Sequence, residues 1–306
     1  IDPAVIRPGF LKTSRSTTLF TGLIVGLLLG ISWVLLRRML HQGVEDPMFL
    51  ERETNLPVFA TIPHSTNQKG ISSQIKNSGK KRDPGNILLL AYKDNSDMAI
   101  EALRSFRINM RFAMKTAENN VIIITGPAPS VGKSFFASNY AAVSCREGQS
   151  VLLIDADMRK GHLHQDLGQA KSPGLSELIA GDTTLDEAVH EIKENFYFLT
   201  CGKRPPNPTE LLETEDCHLL LEEANQKFDL VIIDTPPILA VADASIIAHY
   251  GGKLFILVRS GQHTINEIHS AISKFEKSGT KVTGLLINDH KAQSASYGYG
   301  YQYNYK

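Results

Sequence analysis

The sequence predicts an α/β fold, a doubly wound and mostly parallel sheet, preceded by one membrane-spanning helix. Three observations carry that expectation. Runs of aliphatic residues at 121–124, 151–154 and 230–233 are apolar without alternation, as strands covered on both faces are. The first two flank a helical stretch that closes at Gly148, which makes a βαβ unit with parallel strands. Residues 16–36 carry no charge and are rich in Leu, Ile and Val, long enough to cross a bilayer at ~1.5 Å rise per residue.

The 306 residues allow one or two domains with a core of ordinary size. With 32 basic against 32 acidic residues, nothing in the charge balance points to nucleic acid. Cys145, Cys201 and Cys217 show neither metal-site spacing nor a disulfide framework, which suits a reducing compartment. The chain opens Ile1-Asp2-Pro3 without a methionine and reads as a piece of a longer protein.

The expected organisation is a stub at 1–15, a membrane helix at 16–38, a juxtamembrane segment and linker at 39–85, an α/β domain at 86–291 and a tail at 292–306. A cleaved leader is the rival for the apolar run, but Arg37-Arg38 follow it and no small-residue cleavage site stands out. Gly22, Gly26 and Gly30 recur every four residues, which suits a helix-packing face; glycine is also simply common in membrane helices. Residues 45–65, with Pro47, Pro57 and Pro63, read as a short ordered connection. Residues 64–85 are polar, and their cluster Lys80-Lys81-Arg82 reads as solvated linker rather than lipid contact.

The central stretch is VIIITGPAPSVGKS, residues 121–134. A buried strand runs into a loop with two prolines and two glycines, then into Gly132-Lys133-Ser134 at a helix start. These are the parts of a phosphate cradle: backbone N–H groups and the helix N-terminus face phosphates, a lysine reaches the β/γ oxygens, and a hydroxyl ligates magnesium. The candidate nucleotide-binding residues are therefore Gly126, Pro127, Ala128, Pro129, Ser130, Val131, Gly132, Lys133 and Ser134. The first glycine stands one residue further back than the usual spacing, where Pro127 is found instead.

Two further strands end in carboxylates, Asp155-Ala156-Asp157 and Asp234-Thr235-Pro236-Pro237. Neighbouring parallel strands deliver their C-terminal ends to one crevice, which places Asp155, Asp157 and Asp234 beside bound phosphates. The pattern is that of P-loop NTPases and implies ATP and Mg2+. A nucleotide site after the membrane span places that part in the cytoplasm and 1–15 outside.

Residues 196–200, 253–258 and 282–287 read as additional strands, and 209–227, 243–250 and 264–277 as helices. Residues 97–115 form a helix capped by Asp97, with Glu101, Arg104 and Arg107 along one side, a charged face with internal pairs on physical grounds alone. Pro205-Pro206-Asn207-Pro208 either shapes the cleft or merely turns the chain. Tyr297, Tyr299, Tyr301, Tyr303 and Tyr305 alternate with Gly, Gln and Asn in a terminal tail, five of the nine tyrosines. Phenols on a tail attached to an ATP site look like phosphoacceptors.

Taken together, the chain resembles the bacterial tyrosine kinases fused to polysaccharide co-polymerases. The resemblance rests on Gly126–Ser134 as the first Walker motif, VLLIDADMRKG at 151–161 as that family's extra Walker motif, and residues 228–237 as Walker B. Glu101-Ala102-Leu103-Arg104-Ser105-Phe106-Arg107 matches the family's Glu-Ala-x-Arg-x-x-Arg helix, and the Pro-Pro-Asn-Pro segment stands intact between Gly202 and Leu212. It implies a protein-tyrosine autokinase of the bacterial inner membrane, with Lys133 on the β/γ oxygens and Ser134, Asp155, Asp157 and Asp234 on magnesium. One of the first two aspartates would orient or deprotonate the acceptor tyrosine. It also implies Glu101, Arg104 and Arg107 at a subunit boundary, a homo-oligomeric ring (an octamer by that resemblance), an opposing tyrosine phosphatase and the machinery of polysaccharide assembly and export. The rival reading is a non-kinase ATPase switch of the partition or septum-placement type. The loop lacks the second lysine of those proteins, and a switch has no use for five spaced tyrosines.

Overall fold

The computed structural model describes residues 15–40, 43–68, 70–71, 86–117 and 119–291. The basic cluster 80–82 and the tail with Tyr297, Tyr299, Tyr301, Tyr303 and Tyr305 lie outside the described residues. The chain divides into two units, Ile1–Gln42 and Gly43–Lys306.

The first unit holds α1 (Arg15–Leu40). Leu19, Phe20, Leu23, Leu27 and Trp33 are all exposed along it, and it is long and apolar enough to cross a membrane. It extends ~39 Å at ~1.5 Å per residue, more than a bilayer's ~30 Å hydrocarbon core.

The second unit is an eight-stranded sheet in the order β1-β8-β7-β2-β6-β3-β5-β4. After α2 (Pro47–Thr54) comes β1 (Val58–Pro63), then α3 (Met98–Ala113) and β2 (Val121–Thr125). Next stand α4 (Lys133–Ser144), β3 (Val151–Asp155) and α5 (Leu175–Ile179). The chain continues through β4 (Val189–Lys193), β5 (Phe196–Leu199), α6 (Pro208–Leu212), α7 (Glu215–Lys227) and β6 (Leu230–Asp234). It finishes with α8 (Asp243–Ala248), β7 (Lys253–Arg259), α9 (Ile265–Lys277) and β8 (Gly284–His290). Every neighbouring pair is parallel except β4 with β5.

The central strands β2, β3 and β6 are buried at every position, which explains their unbroken apolar runs. Successive side chains point to opposite faces. Ile122, Ile124 and Leu153 meet α3 and α4 through Ile100, Leu103, Phe106, Phe136 and Tyr140. Ile123, Leu152 and Val231 meet the other helical layer through Leu220, Ala224, Ile247 and Phe275. Asp97 caps α3, its carboxylate accepting the Ala99 N–H at 2.8 Å. Thr264 and Glu267 form a capping box on α9.

Three elements differ from expectation. The single helix expected at 209–227 is two, because Thr214 accepts the Cys217 N–H and starts α7 afresh. The connection at 45–65 contains α2 and β1, and β1 extends the sheet by pairing with β8, Val58 opposite Leu285. The turn after β4 carries Asn195 in the left-handed region, φ 63°, and β4–β5 is the one antiparallel hairpin among the described residues.

Candidate active site

Strand order places the chemistry. β6 lies between β2 and β3, with Ile124 opposite Asp234 and Asp234 opposite Asp155. The phosphate loop and two of the three aspartates thus leave adjacent strand ends on the same edge of the sheet, beside the N-terminus of α4. They line a cleft of about 640 Å³, together with Asp157, Lys133 and Ser134.

The loop from Gly126 to Ser134 is held in shape by its neighbours. A Cβ at Gly126 would lie 2.7 Å from the Leu257 carbonyl oxygen, so only glycine fits there. Gly132 has φ 101°, and a Cβ on it would meet Asn288. Asn288 Nδ2 donates to the Val131 carbonyl at 2.9 Å, and the Ile238 N–H donates to the Gly126 carbonyl at 3.0 Å. Asn288 was not among the residues expected at the site; its place at the end of a parallel strand is the signal that would have found it.

Lys133 is only 8% exposed. Burial pushes its ammonium below the usual lysine range, opposed by the carboxylates of Asp234 and Asp157. Asp234 is pushed up to about 6 by burial, while Lys133, the Ser134 hydroxyl and His162 pull the other way. Asp155 is raised by burial, then by Asp234 and Asp157, against the amide N–H groups of Asp157 and Leu163. Asp155 Oδ1 accepts the Asp157 N–H at 3.2 Å, and Asp157 Oδ1 accepts the N–H groups of Arg159 at 3.1 Å and Lys160 at 2.8 Å.

These residues fit a magnesium nucleotide. Ser134 Oγ donates to Asp234 Oδ2, while Asp234 Oδ1 is buried with no hydrogen-bond partner. The Ser134 hydroxyl and the unpartnered oxygen of Asp234 are oxygen donors of the kind a hard cation takes, and Asp155 and Asp157 line the same cleft. Lys133 and the N-terminus of α4 supply the positive field for phosphate. The structure therefore brings Pro129, Ser130, Gly132, Lys133, Ser134, Asp155, Asp157 and Asp234 to one cleft, while Gly126, Pro127, Ala128 and Val131 belong to the loop without lining it.

Glu101, Arg104 and Arg107 lie outside the cleft, on α3. Glu101 pairs with Arg104, and Arg104 Nη2 donates to the Asn95 carbonyl at 3.0 Å. Arg107 pairs with Glu147 at 2.6 Å. The internal pairs expected of a charged face are thus present, while Arg104 remains partly exposed and Glu101 exposed.

Fold and site define a P-loop α/β protein of the nucleotide-binding class, with Asp155, Asp157 and Asp234 beside its phosphate loop. A family model described as an AAA domain matches residues 119–282. The chain is similar to the BceF tyrosine kinase domain, at TM-score 0.75 and 41% identity, covering 82% of this chain and 100% of that one. The kinase domain of Escherichia coli tyrosine kinase ETK superposes at TM-score 0.74 with 38% identity, covering 85% and 100%. The chain belongs to the bacterial tyrosine kinase family. Its relatives include tyrosine-protein kinase wzc of Salmonella typhimurium, 40% identical over 97% of this chain, and tyrosine-protein kinase ptk of Acinetobacter johnsonii, 42% identical over 97%. The chain spans 41% and 40% of those two proteins.

Proposed function

We propose that this chain is the membrane-anchored kinase portion of a protein-tyrosine autokinase. It transfers the ATP γ-phosphate to tail tyrosines of neighbouring subunits and so regulates capsule or exopolysaccharide polymerisation and export. The observation that carries the reading is the convergence of Lys133, Ser134, Asp155, Asp157 and Asp234 on one cleft at the sheet edge from which the chain enters its tyrosine tail. β8 runs parallel to β7, and β7 to β2, so residue 291 leaves on the same edge as the phosphate loop.

Phosphoryl transfer needs mainly positioning and charge neutralisation. Magnesium, when bound, would supply positive charge that offsets the charge of the phosphates. Lys133 binds the β/γ oxygens, and the backbone N–H groups before Ser134 cradle them. Ser134, Asp234, Asp155 and Asp157 would hold the cation, directly or through water. A free phenol has a pKa of about 10, so Asp155 or Asp157 orients the acceptor hydroxyl or takes its proton. The burial of Asp155 favours the protonated acid, and the half-buried Asp157 is the more open of the two.

The anchor α1 belongs to an inner membrane, with the kinase unit in the cytoplasm. The partners are other copies in a ring, joined in part through Glu101, Arg104 and Arg107, the polysaccharide machinery, and a phosphatase that resets the tail. Phosphosite mass spectrometry, with and without ATP–Mg2+, tests the core of this. Phosphate is expected on Tyr297, Tyr299, Tyr301, Tyr303 and Tyr305, including on a Lys133→Met chain mixed with an active tail-less one. ATP hydrolysis without phosphotyrosine would favour the ATPase switch instead.

A further inference from the structure

Arg159 lies two residues beyond Asp157 on the rim of the cleft, and none of the chemistry above uses it. Its guanidinium is gripped by two other segments. Nε donates to Asp243 Oδ2 at 3.0 Å, and Nη2 donates to Asp243 Oδ1 at 3.2 Å and to Thr209 Oγ1 at 2.8 Å. The Thr209 hydroxyl in turn donates to Asp243 Oδ1 at 2.8 Å. Asp243 is fully buried at the start of α8. A buried carboxylate needs a partner, and a planar bidentate fork fixes that partner's orientation as well as its distance.

The other end of Arg159 is tied to the metal site. Its backbone N–H donates to Asp157 Oδ1, as does that of Lys160. Thr209 is held just as firmly. Pro208 starts α6, and upstream the Lys203 N–H donates to Glu177, while Ser176 Oγ donates to the Lys203 carbonyl at 2.7 Å. The segment 203–209 is thus a stiff arm whose tip touches Arg159.

We propose that Arg159, Asp243 and Thr209 form a clamp that sets the position of Asp157 in the magnesium site. Arg159 is a positioning residue, and the Pro205–Pro208 segment serves to present Thr209 to it. This rests on the assignment of Asp157 to magnesium made above. Lysine cannot replace the fork, because it has one point charge where the clamp uses two directed nitrogens.

The test measures Mg2+ affinity of the detergent-solubilised chain with saturating ADP, alongside ADP affinity without Mg2+. Removing Arg159 alone strands a buried carboxylate, so Arg159→Met is combined with Asp243→Asn. The double variant is expected to keep metal-free ADP affinity within about twofold while Mg2+ binds roughly 10–100-fold more weakly, the usual effect of losing an outer partner of a metal ligand. Turnover should fall with little change in KM for ATP and recover partly at high Mg2+. Thr209→Val, which keeps the ion pair, should weaken Mg2+ several-fold and decides the matter if the double variant does not fold. Unchanged Mg2+ affinity, or an equal loss of metal-free ADP binding, would overturn the clamp. Because ADP and Mg2+ binding involve no tyrosine, a wild-type chain that binds both yet phosphorylates nothing would sink the kinase reading and leave the clamp standing.

Discussion

Ser134 Oγ donates to Asp234 Oδ2 at 2.5 Å, joining the first turn of α4 to the end of β6 across 100 positions of sequence. The bond pre-sets both groups: the hydroxyl rotor is aimed, and the carboxylate keeps its second oxygen without a partner. Such preorganisation lets a site meet developing charge without rearranging at the moment of reaction.

Lys133→Met keeps the length of a side chain that is almost wholly buried, and it removes a cation that burial disfavours. The nucleotide-free chain should melt at or slightly above the wild-type temperature. Tyrosine phosphorylation should fall by on the order of 10²–10³-fold or more, as when one charge-stabilising donor is lost. Calorimetry and a phosphotyrosine assay check the two halves, and undiminished phosphorylation would discard the mechanism.

Gly132→Ala meets two obstacles at once, a φ of 101° and a Cβ placed 2.0 Å from Asn288 Nδ2. The loop must shift, so nucleotide affinity should drop at least tenfold. Asn288→Ala removes the clash but not the backbone strain, and it also gives up the bond to the Val131 carbonyl, about 1 kcal/mol. The double variant should therefore recover only part of the binding, as read by titration with a fluorescent ATP analogue.

Phe106 is fully buried and makes edge contacts with Phe136, Tyr140 and Phe255. It ties α3 to α4 and to β7. Phe106→Ala should cost about 3–5 kcal/mol in urea unfolding. A loss below about 1 kcal/mol would mean that the cluster repacks freely.

His263 is buried, and its ring Nδ1 accepts the Arg259 N–H at 3.4 Å. Burial holds its pKa below the ordinary imidazole value, with the Arg259 charge acting the same way and the Glu267 carboxylate opposing. The folded state therefore binds this proton less readily than the unfolded chain. Its contribution is present above the unfolded pKa of about 6.5 and is lost as pH falls through and below it. The wild type should be less stable at pH 5.5 than at pH 7.5, and His263→Gln should show a smaller difference. Equal pH slopes in urea titrations would contradict the assignment.

Replacing Glu101, Arg104 and Arg107 with alanine breaks the partly exposed pair Glu101–Arg104, a contribution of about 0–1 kcal/mol, and the pair of the more buried Arg107 with Glu147 together with its bond to the Val143 carbonyl, about 1 kcal/mol more. Stability should fall by no more than a few kcal/mol and nucleotide binding should stay near wild type, while the assembly mass falls. Light scattering that shows an unchanged assembly would move the interface elsewhere.

Much of the site was legible in the chain. Uninterrupted apolar runs ending in Asp155 and Asp234, and a Gly-Lys-Ser at a helix start, are local patterns whose physics is local: strands buried on both faces tolerate few polar groups, and a phosphate loop needs its glycines and lysine at fixed offsets. Asp97 as a cap and Thr264 with Glu267 as a capping box are short-range in the same sense. β1 was harder to read, because Val58–Pro63 is flanked by Pro57 and ends in proline and is mostly half-buried, so neither alternation nor a full apolar run marks it.

By itself, then, the sequence determined the parallel sheet, the phosphate loop, the three aspartates and the long apolar helix α1, since each follows from residue type and spacing within about 20 positions. Only the tertiary structure decided that β6 sits between β2 and β3 and so seats Asp234 between the loop and Asp155. It alone brought Asn288 to the Val131 carbonyl across 157 positions, and Arg159 to Asp243 across 84 and to Thr209 across 50. The reason is physical: a hydrogen bond between distant segments leaves no periodic trace in either one, and strand order is set by how whole helices and strands pack.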